Sequence, residues 1–401
     1  MIVAVASATS RRLAIGLALG FALAAYAWLA VGSGLDRATE TRPDLARQVP
    51  SLLSSEALRA STREALAKGD GTSALRLSEA AVTNAPLDPT STALLGAARY
   101  ATGDRVGAER AFRVAARLGW RVAYTQIYML GRALEVGDYR VAALRLDALA
   151  RQNPGVLDQH QLFDPFERSA PGRSALADRL ATAPPWLRPY AMAVHDLPPD
   201  RLAQRTAVLN EVAQRGKPVG CAVIGPTVSS LIAENQVADA ARLWRGHCPA
   251  AAQSLLFDGN FAAAQLNQTE SEFAWTFIGR SDASAVFEPD PVSRGRALVL
   301  DSTASRPEMM LRQLLLLPAG RYRLTWKAEK ADGTPADGIV VGFSCKPDPS
   351  DWIAPQFDAA SHRWQANLSM DTACPARWIG FATKGEVNNL RFSDVRLEPV
   401  R

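Results

Sequence analysis

The dipeptide Gly-Asp recurs in this chain at an interval of 34 residues, at positions 69–70, 103–104 and 137–138. An alanine follows each aspartate by four residues, at Ala74, Ala108 and Ala142. Glycine readily adopts the left-handed conformation that ends a helix, and aspartate accepts hydrogen bonds from the first N–H groups of the next helix. The interval therefore predicts three helix-turn-helix units, with the small alanine allowing close packing within each unit.

Residues 56–154 resemble the tetratricopeptide repeat family, whose unit is a helix-turn-helix of this length. The middle unit has the fullest pattern, with Gly96, Ala108, Phe112 and Ala115. The resemblance implies a superhelix with a concave surface that binds a protein partner. Apolar residues keep a helical spacing from about 160 to 250 without the 34-residue interval. We therefore expect an all-α, TPR-like helical repeat domain over residues 56–250.

An uncharged run of 19 residues, 13–31, follows Arg11 and Arg12 near the N-terminus. It is long enough to span a bilayer as a helix, and the preceding positive charges favour a cytoplasmic N-terminus. We expect a cytoplasmic tail (1–12), a transmembrane signal anchor and a linker (32–55), in a single-pass protein of the bacterial inner membrane with its bulk in the periplasm. A cleaved signal peptide is the alternative, because Ala-Tyr-Ala at 25–27 has the small-x-small form.

The four cysteines fall in two pairs, Cys221 with Cys248 and Cys345 with Cys374. Members of each pair are nearly 30 residues apart, no CxxC motif occurs, and the four histidines are scattered. This spacing does not suit a zinc site, and disulfide bonds are typical of an oxidising compartment. We expect the first bond to join the start of one helix to the end of the next, and the second to join two strands.

The period of the apolar residues changes from helical to two after residue 250. The segment GRYRLTWKAE, residues 320–329, alternates apolar and polar residues as a half-buried strand does. Other short strand candidates, separated by turn residues, follow it to the C-terminus. A chain of 401 residues is expected to form more than one domain. The pattern therefore predicts an all-β sandwich over residues 254–401.

The order DGNF, FAWTF, GRALVLD, LLLLPAGRYRLTWKAE and LRFSDVRLE resembles the galactose-binding-like jelly rolls found among carbohydrate-binding modules. The resemblance covers about residues 254–401 and implies a jelly roll that can bind glycan. In many such modules an acidic residue after Gly-Asn-Phe joins a terminal aspartate in a structural calcium site. Here Ala262 and Ala263 follow, leaving Asp258 and Asp394, so we expect no metal because calcium needs six or more oxygens.

Sugar binding requires exposed flat aromatic rings with polar neighbours. Trp352 and Phe357, with Asp351 and Gln356 beside them, lie in a polar segment and are the candidate ligand-binding residues. The alternative is that Trp352 only covers a sheet edge. Three further tryptophans lie within predicted strands and are expected in the core: Trp275, Trp326 and Trp378.

The charge distribution and the absence of known motifs argue against nucleic-acid binding and against catalysis. The net charge of +5 comes from arginines scattered along helices without interleaved aromatics, which does not favour nucleic-acid binding. The sequence contains no GxSxG, P-loop, dinucleotide or HExxH motif. A carboxylate pair for glycoside hydrolysis could lie among Glu270, Glu272, Asp282, Glu288 and Asp290, although acidic residues on a sandwich are usually solvated. We expect no enzymatic activity, no cofactor and no nucleic-acid partner.

The combined pattern predicts a multidomain protein with a transmembrane helix, a helical repeat domain and a jelly roll. Our leading hypothesis is a membrane-anchored periplasmic scaffold or adaptor in exopolysaccharide or cell-surface polysaccharide assembly. Its repeats would bind a protein partner, and its jelly roll would bind polysaccharide. The alternative is a general envelope assembly factor with a structural or protein-binding jelly roll, and a glycan-active enzyme is the third class.

Overall fold

The computed structural model describes residues 3–50, 54–252, 254–279, 281–290, 295–349 and 351–400. Helices occupy the N-terminal part of the chain and antiparallel strands the C-terminal part. Short 3-10 helices cover Pro43–Gln48, Pro154–Asp158 and Pro249–Ala252. The α-helices are α1 (Val3–Ala38), α2 (Ser55–Ala67), α3 (Gly71–Asn84), α4 (Pro89–Ala101), α5 (Arg105–Leu118), α6 (Ala123–Glu135), α7 (Tyr139–Gln152), α8 (His160–Arg168), α9 (Ala170–Leu180), α10 (Leu187–Met192), α11 (Pro199–Gln214), α12 (Cys221–Ala233) and α13 (Val237–His247).

The chain divides into two compact units, Met1–Val156 and Leu157–Arg401. The first contains α1 to α7, and the second contains α8 to α13 together with all the described strands. The predicted helical domain, residues 56–250, is therefore shared between the two units.

The first helix, α1, has apolar side chains exposed along most of its length. Its section Leu13–Ala38 is long and apolar enough to cross a membrane; the most apolar 18 residues of this section have a mean hydropathy of 2.0, and none of them is buried against the rest of the protein. Exposed apolar surface of this extent is unfavourable in water. The segment is thus a candidate membrane anchor or signal sequence.

A pair of hydrogen bonds ties the end of α1 to the start of α2. The carboxylate of Asp36 accepts the backbone N–H of Glu56 at 3.0 Å and that of Ala57 at 2.8 Å. It therefore satisfies N–H groups of the first turn of α2, as a capping residue would. The described part of the predicted linker, 32–55, is consequently ordered and includes the end of α1 and a 3-10 helix.

The 34-residue interval corresponds to three helical hairpins, α2–α3, α4–α5 and α6–α7. Each hairpin turns at a glycine with positive φ, 76° at Gly69, 88° at Gly103 and 73° at Gly137. The aspartate that follows each glycine accepts a hydrogen bond from the backbone N–H three residues later, at Ser73, Gly107 and Val141. The turn chemistry predicted from the sequence is confirmed at all three positions.

Small residues set the distance between the helices of the middle hairpin. A Cβ at Gly96 would lie 3.0 Å from the Phe112 ring, so glycine allows the ring to lie directly on α4. Phe112 in turn stacks on Tyr128 of α6, with ring centroids 4.2 Å apart. Ala108 is fully buried beside them. The repeat pattern thus corresponds to close packing between neighbouring hairpins.

The helices of the second unit contain a buried polar network. Glu167 and Arg205 are both about 1% exposed, and Arg205 Nε donates to Glu167 Oε1 at 3.0 Å. The Tyr190 hydroxyl donates to the same oxygen at 2.8 Å, and Arg205 also donates to the Ala193 carbonyl at 2.8 Å. A buried ion pair is tolerated when such additional bonds satisfy its remaining groups. The network joins α8, α10 and α11.

The predicted disulfide between Cys221 and Cys248 closes the open end of the α12–α13 hairpin, with Cα atoms 5.1 Å apart. His247 precedes it and is fully buried. Its Nδ1 accepts the Val219 N–H at 3.1 Å, so the proton lies on Nε2, which donates to the Leu209 carbonyl at 3.0 Å. Burial lowers the pKa of His247 below its ordinary value, and the bond to Leu209 offsets this only in part.

Two antiparallel sheets form the C-terminal β-sandwich. One has the strand order β1-β4-β10-β6-β7, and the other has the order β2-β3-β11-β5-β9-β8. The strands are β1 (Thr276–Phe277), β2 (Ala283–Asp290), β3 (Gly295–Ser302), β4 (Glu308–Leu316), β5 (Gly320–Glu329), β6 (Ile339–Ser344), β7 (Trp352–Ile353), β8 (Gln356–Asp358), β9 (Arg363–Met370), β10 (Ala376–Thr383) and β11 (Val387–Pro399).

The core of the sandwich lies between these two sheets. The alternation predicted for β5 is confirmed, because Tyr322, Leu324, Trp326 and Ala328 are all buried in it. Trp275 and Trp326 are both in this core, and the ring of each lies close to the ring of Phe381. The second predicted disulfide joins Cys345, just after β6, to Cys374, just before β10, with Cα atoms 6.1 Å apart. It links two neighbouring strands, as expected.

Helices α12 and α13 pack directly on the first part of the sandwich. A Cβ at Gly225 would lie 1.8 Å from the Glu270 carbonyl oxygen, so only glycine permits this approach. The Trp244 ring contacts the rings of Phe257 and Phe273, with centroids 5.3 and 6.4 Å away. These contacts explain why the helices from residue 157 onward belong to the same unit as the strands.

Protonation of His247 should destabilise the second unit. Its pKa is lower in the folded state than in the unfolded state, so the unfolded chain binds the proton more tightly. The contribution of neutral His247 to the free energy of unfolding is fully present above about pH 7. It is lost as the pH falls below about 6.5, which is the pKa of histidine in the unfolded chain. We expect the thermal unfolding temperature to fall between about pH 7.5 and 5, and to fall less in His247→Gln.

His195→Gln is the matched control, because the His195 side chain is 96% exposed. Equal pH dependence in the wild type and both variants would show that His247 does not contribute.

Candidate functional site

The four candidate ligand-binding residues lie where the chain crosses from one sheet to the other. Trp352 begins β7, the edge strand of the five-stranded sheet. Gln356 and Phe357 begin β8, the edge strand of the six-stranded sheet. Asp351 directly precedes β7 and is exposed. The structure thus brings the four residues to one edge of the sandwich.

Their side chains nevertheless face different surfaces. Trp352 pairs with Gly342, and because Ile353 packs against the core, Trp352 lies on the outer face of the five-stranded sheet. Phe357 pairs with Trp364, and the two ring centroids are 5.3 Å apart at the margin of the core. Gln356 is exposed on the opposite side of β8. Of the four candidate ligand-binding residues, Trp352 is therefore the one that lies on the outer face of a sheet.

Two paired glycines provide a flat floor beneath Trp352. Gly342 and Gly380 lie opposite each other on β6 and β10. A Cβ at Gly342 would lie 3.0 Å from the Trp352 ring and 2.6 Å from Pro349, and a Cβ at Gly380 would lie 2.9 Å from Met309. Glycine within a strand often marks such a close approach. The two glycines allow these side chains to lie directly on the backbone of the sheet.

An arginine and an aspartate supply polar groups on the same face. Arg312 donates from Nη1 to Asp348 Oδ1 at 2.8 Å and to the Pro347 carbonyl at 3.2 Å. Its guanidinium also lies 5.0 Å from the centre of the Trp378 ring. The disulfide at Cys345 lies at the start of the loop that carries Pro347 and Asp348. We call the surface formed by Met309, Arg312, Asp348, Pro349, Trp352 and Trp378 the Trp352 face.

The position of Trp378 differs from the sequence prediction. We expected it in the core with the other strand tryptophans. Its neighbours Ile379 and Phe381 are buried between the sheets, whereas Trp378 lies on the outer face of β10. It is only 8% exposed because Arg312 and adjacent residues cover it. Alternation within the strand could have indicated this position, but the covering arginine comes from a distant part of the sequence.

The Trp352 face combines groups that suit a hydroxyl-rich ligand. Trp352 is half-buried, so part of its ring is accessible at the rim. Indole and proline rings offer flat apolar surfaces, whereas the guanidinium donates and the carboxylate accepts hydrogen bonds. Such a face can stack on a sugar ring and bind its hydroxyls. The same geometry also covers a sheet edge, which is the alternative considered above.

The two aspartates considered for calcium are each bonded within the protein. Asp394 accepts from Arg363 Nη1 at 2.6 Å and from Arg396 Nε at 2.9 Å. Burial raises the pKa of Asp394, but the bonds and charges of the two arginines outweigh it, and its pKa lies below the ordinary value. Asp258 accepts the Ala264 N–H at 2.8 Å, and burial raises its pKa. Within the described ranges, no group of three or more His, Cys, Asp or Glu side chains could hold a metal ion.

The acidic residues considered for catalysis are dispersed. Glu272 accepts from Ser229 Oγ at 2.7 Å, and Glu288 forms an ion pair with Arg391. Burial and the charge of Asp258 raise the pKa of Glu270. Asp258 and Glu270 both line a cavity of about 410 Å³ next to α10 and α12. Sequence spacing did not indicate this proximity, because it depends on the helices that pack on the sandwich.

Comparisons with known proteins give matches only to solved structures. No protein-family model and no curated protein matches the chain. The matching structures include TmCBM61 in complex with beta-1,4-galactotriose, with 14% identity, 37% of this chain and 99% of that chain covered, and a TM-score of 0.25. A sugar binding protein from Bacteroides thetaiotaomicron VPI-5482 has 15% identity, covers 35% and 92% of the two chains, and has a TM-score of 0.21.

A third match is the enzymatically active domain of bacteriophage CBA120 tailspike protein 4. Its identity is 12%, the coverage is 35% of this chain and 22% of that chain, and the TM-score is 0.22. Two of these three neighbours are thus named for carbohydrate binding. At these TM-scores the likeness identifies neither a family nor a ligand for this chain.

The two tryptophans of different burial should differ sharply in their effect on stability. Trp326 is fully buried, so Trp326→Ala should lower the free energy of unfolding by about 3–5 kcal/mol through cavity formation. Trp352 is half-buried, so Trp352→Ala should cost only about 1 kcal/mol. Urea unfolding of the full chain, monitored by circular dichroism at wavelengths that report on β-strands, measures the free energy of unfolding of both variants. A loss of 3 kcal/mol or more in Trp352→Ala would show that its role is structural.

Proposed function

We propose that this protein is a membrane-anchored adaptor in the assembly of exopolysaccharide or another cell-surface polysaccharide. The apolar section of α1 is the anchor in the bacterial inner membrane, residues 1–12 lie in the cytoplasm, and the chain that follows the anchor lies in the periplasm. The two disulfide bonds support an oxidising compartment such as the periplasm. The protein acts by binding rather than by catalysis.

Glycan binding is assigned to the Trp352 face, and the geometry of this face is the observation that carries the proposal. The partly accessible Trp352 ring lies beside Pro349, and the Arg312–Asp348 pair is close by on the same sheet surface. A sugar ring would stack on the aromatic and proline surfaces while its hydroxyls bond to the charged pair. The predicted residues Asp351, Gln356 and Phe357 would extend the site around the edge of the sandwich.

The helical hairpins are assigned to a protein partner. Their tetratricopeptide-like pattern favours this role, and exposed apolar residues on α4 and α6 support it. Tyr100 is 51% exposed, Tyr124 37% and Ile127 47%, and Tyr100 lies edge-on to Tyr128 with ring centroids 6.3 Å apart. Exposed apolar residues that lie together on a surface often mark a protein interface. The partner would therefore contact α4 and α6.

A second candidate function is a general envelope assembly factor whose sandwich is structural. The packing of α12 and α13 on the first part of the sandwich favours it, because the strands then serve to support the helices. The two proposals differ in whether the Trp352 face has a ligand. Co-purification from solubilised membranes also separates them, since polysaccharide synthesis or export proteins support the first and an unrelated envelope complex supports the second.

The direct test is retention of the full chain, in nanodiscs, on polysaccharide prepared from its own cell envelope. We expect Trp352→Ala to abolish retention, because the stacking surface is lost. Trp120→Ala is the matched control, since Trp120 is 48% exposed in the first unit and distant in sequence from the sandwich. It should leave retention unchanged. Undiminished retention of Trp352→Ala, or no retention of the wild type, would favour the assembly-factor alternative.

A further inference from the structure

A cavity separate from the Trp352 face lies between α13 and the second half of β4. Its volume is about 600 Å³, which is within the range of small-molecule sites in proteins. A third wall is formed by four residues between α13 and the sandwich: Ala251, Ser254, Leu255 and Phe257. All of these elements belong to the second compact unit.

Two buried polar atoms of the lining have no partner among the residues that the structure describes. They are Nε1 of Trp244, a donor, and Oε1 of Gln313, an acceptor. Trp244 is 3% exposed and Gln313 is fully buried. Gln313 Nε2 donates to the Phe257 carbonyl at 3.0 Å, which fixes the amide and assigns the unpaired position to its oxygen. Buried polar atoms without partners are uncommon in native proteins, so each calls for an explanation.

Apolar side chains form part of the lining, beside the polar groups that it also exposes. The rings of Phe257 and Phe273 contact Trp244, and Leu314 and Leu316 contribute from β4. Leu255 is 41% exposed, so an apolar side chain remains accessible beside the cavity. A ligand that fills this space needs an apolar body together with at least one hydrogen-bonding group.

One positive charge is also part of the lining. Arg245 follows Trp244 on α13, and its side chain is exposed. In the described part of the chain, no carboxylate lies within ion-pair distance of it, whereas Arg242 on the same helix pairs with Asp239 at 2.9 Å. An unpaired guanidinium beside a cavity favours a ligand with a carboxylate.

We propose that this cavity binds a medium-chain hydroxy acid. The chain would lie against the phenylalanine and leucine side chains, and the carboxylate would pair with Arg245. A hydroxyl group both donates and accepts, so it would complement Gln313 Oε1 and Trp244 Nε1 together. Glycan binding at the Trp352 face and ligand binding in this cavity are independent of each other.

The test compares three soluble probes by titration calorimetry with the full chain in nanodiscs: 3-hydroxyoctanoate, octanoate and octane-1,3-diol. We expect 3-hydroxyoctanoate to bind most tightly. Octanoate lacks the hydroxyl and the diol lacks the charge, so each should bind on the order of tenfold more weakly. Empty nanodiscs measure the heat of partition into lipid, which is subtracted.

Three variants locate the binding. Arg245→Ala should weaken both acids on the order of tenfold and leave the diol unchanged. Leu255→Glu should abolish binding of the acids, because it places a negative charge beside the apolar wall at an already exposed position. Arg242→Ala, on the same helix, should bind as the wild type does.

Equal affinity for the three probes, or affinity unaffected by both Arg245→Ala and Leu255→Glu, would overturn the proposal. It would also be overturned if no probe bound and a crystal structure showed only ordered water bonded to Trp244 and Gln313.

Discussion

The packing of α12 and α13 on the segment that precedes β1 and on β4 is the contact on which the second unit depends. It requires a glycine at residue 225, where any side chain would meet the Glu270 carbonyl, and it buries Trp244 against two phenylalanines. The disulfide at Cys221 and Cys248 holds the far end of the same hairpin closed. Both cavities next to the start of the sandwich exist only because these helices lie there.

The proposed binding surfaces of the protein lie in different parts of its structure. The 600 Å³ cavity lies against α13 and the second half of β4, whereas the Trp352 face extends from the first half of β4 across β10 to β7. In the first unit, Asp36 bonds the end of α1 to the start of α2, so the candidate anchor helix and the first hairpin are joined by direct hydrogen bonds. Each proposed binding surface thus has its own set of residues.

Features that depend on local sequence could be predicted well. The Gly-Asp turns required only the backbone freedom of glycine and the capping oxygen of aspartate, and β5 alternates as its pattern indicates. Features that depend on pairing between distant strands could not be predicted. Trp352 can lie directly on the sheet only because Gly342 lies opposite Gly380 on the neighbouring strand. Trp378 is shielded from solvent only because Arg312 of β4 lies over its ring. The end of the 34-residue interval at residue 154 lies close to the unit boundary near residue 156, but helical spacing continues across it and gave no sign that the later helices pack with the strands.

The central structural claim is that the helices α12 and α13 and the sandwich form one cooperative unit. Native-state hydrogen exchange of the full chain tests it directly, by comparing the opening free energies of amides in α13 with those in β4. We expect the slowest amides of both elements to share one opening free energy, and Gly225→Val to lower it in both together. Opening of α13 at a clearly lower free energy than β4, with β4 unaffected by Gly225→Val, would contradict the account.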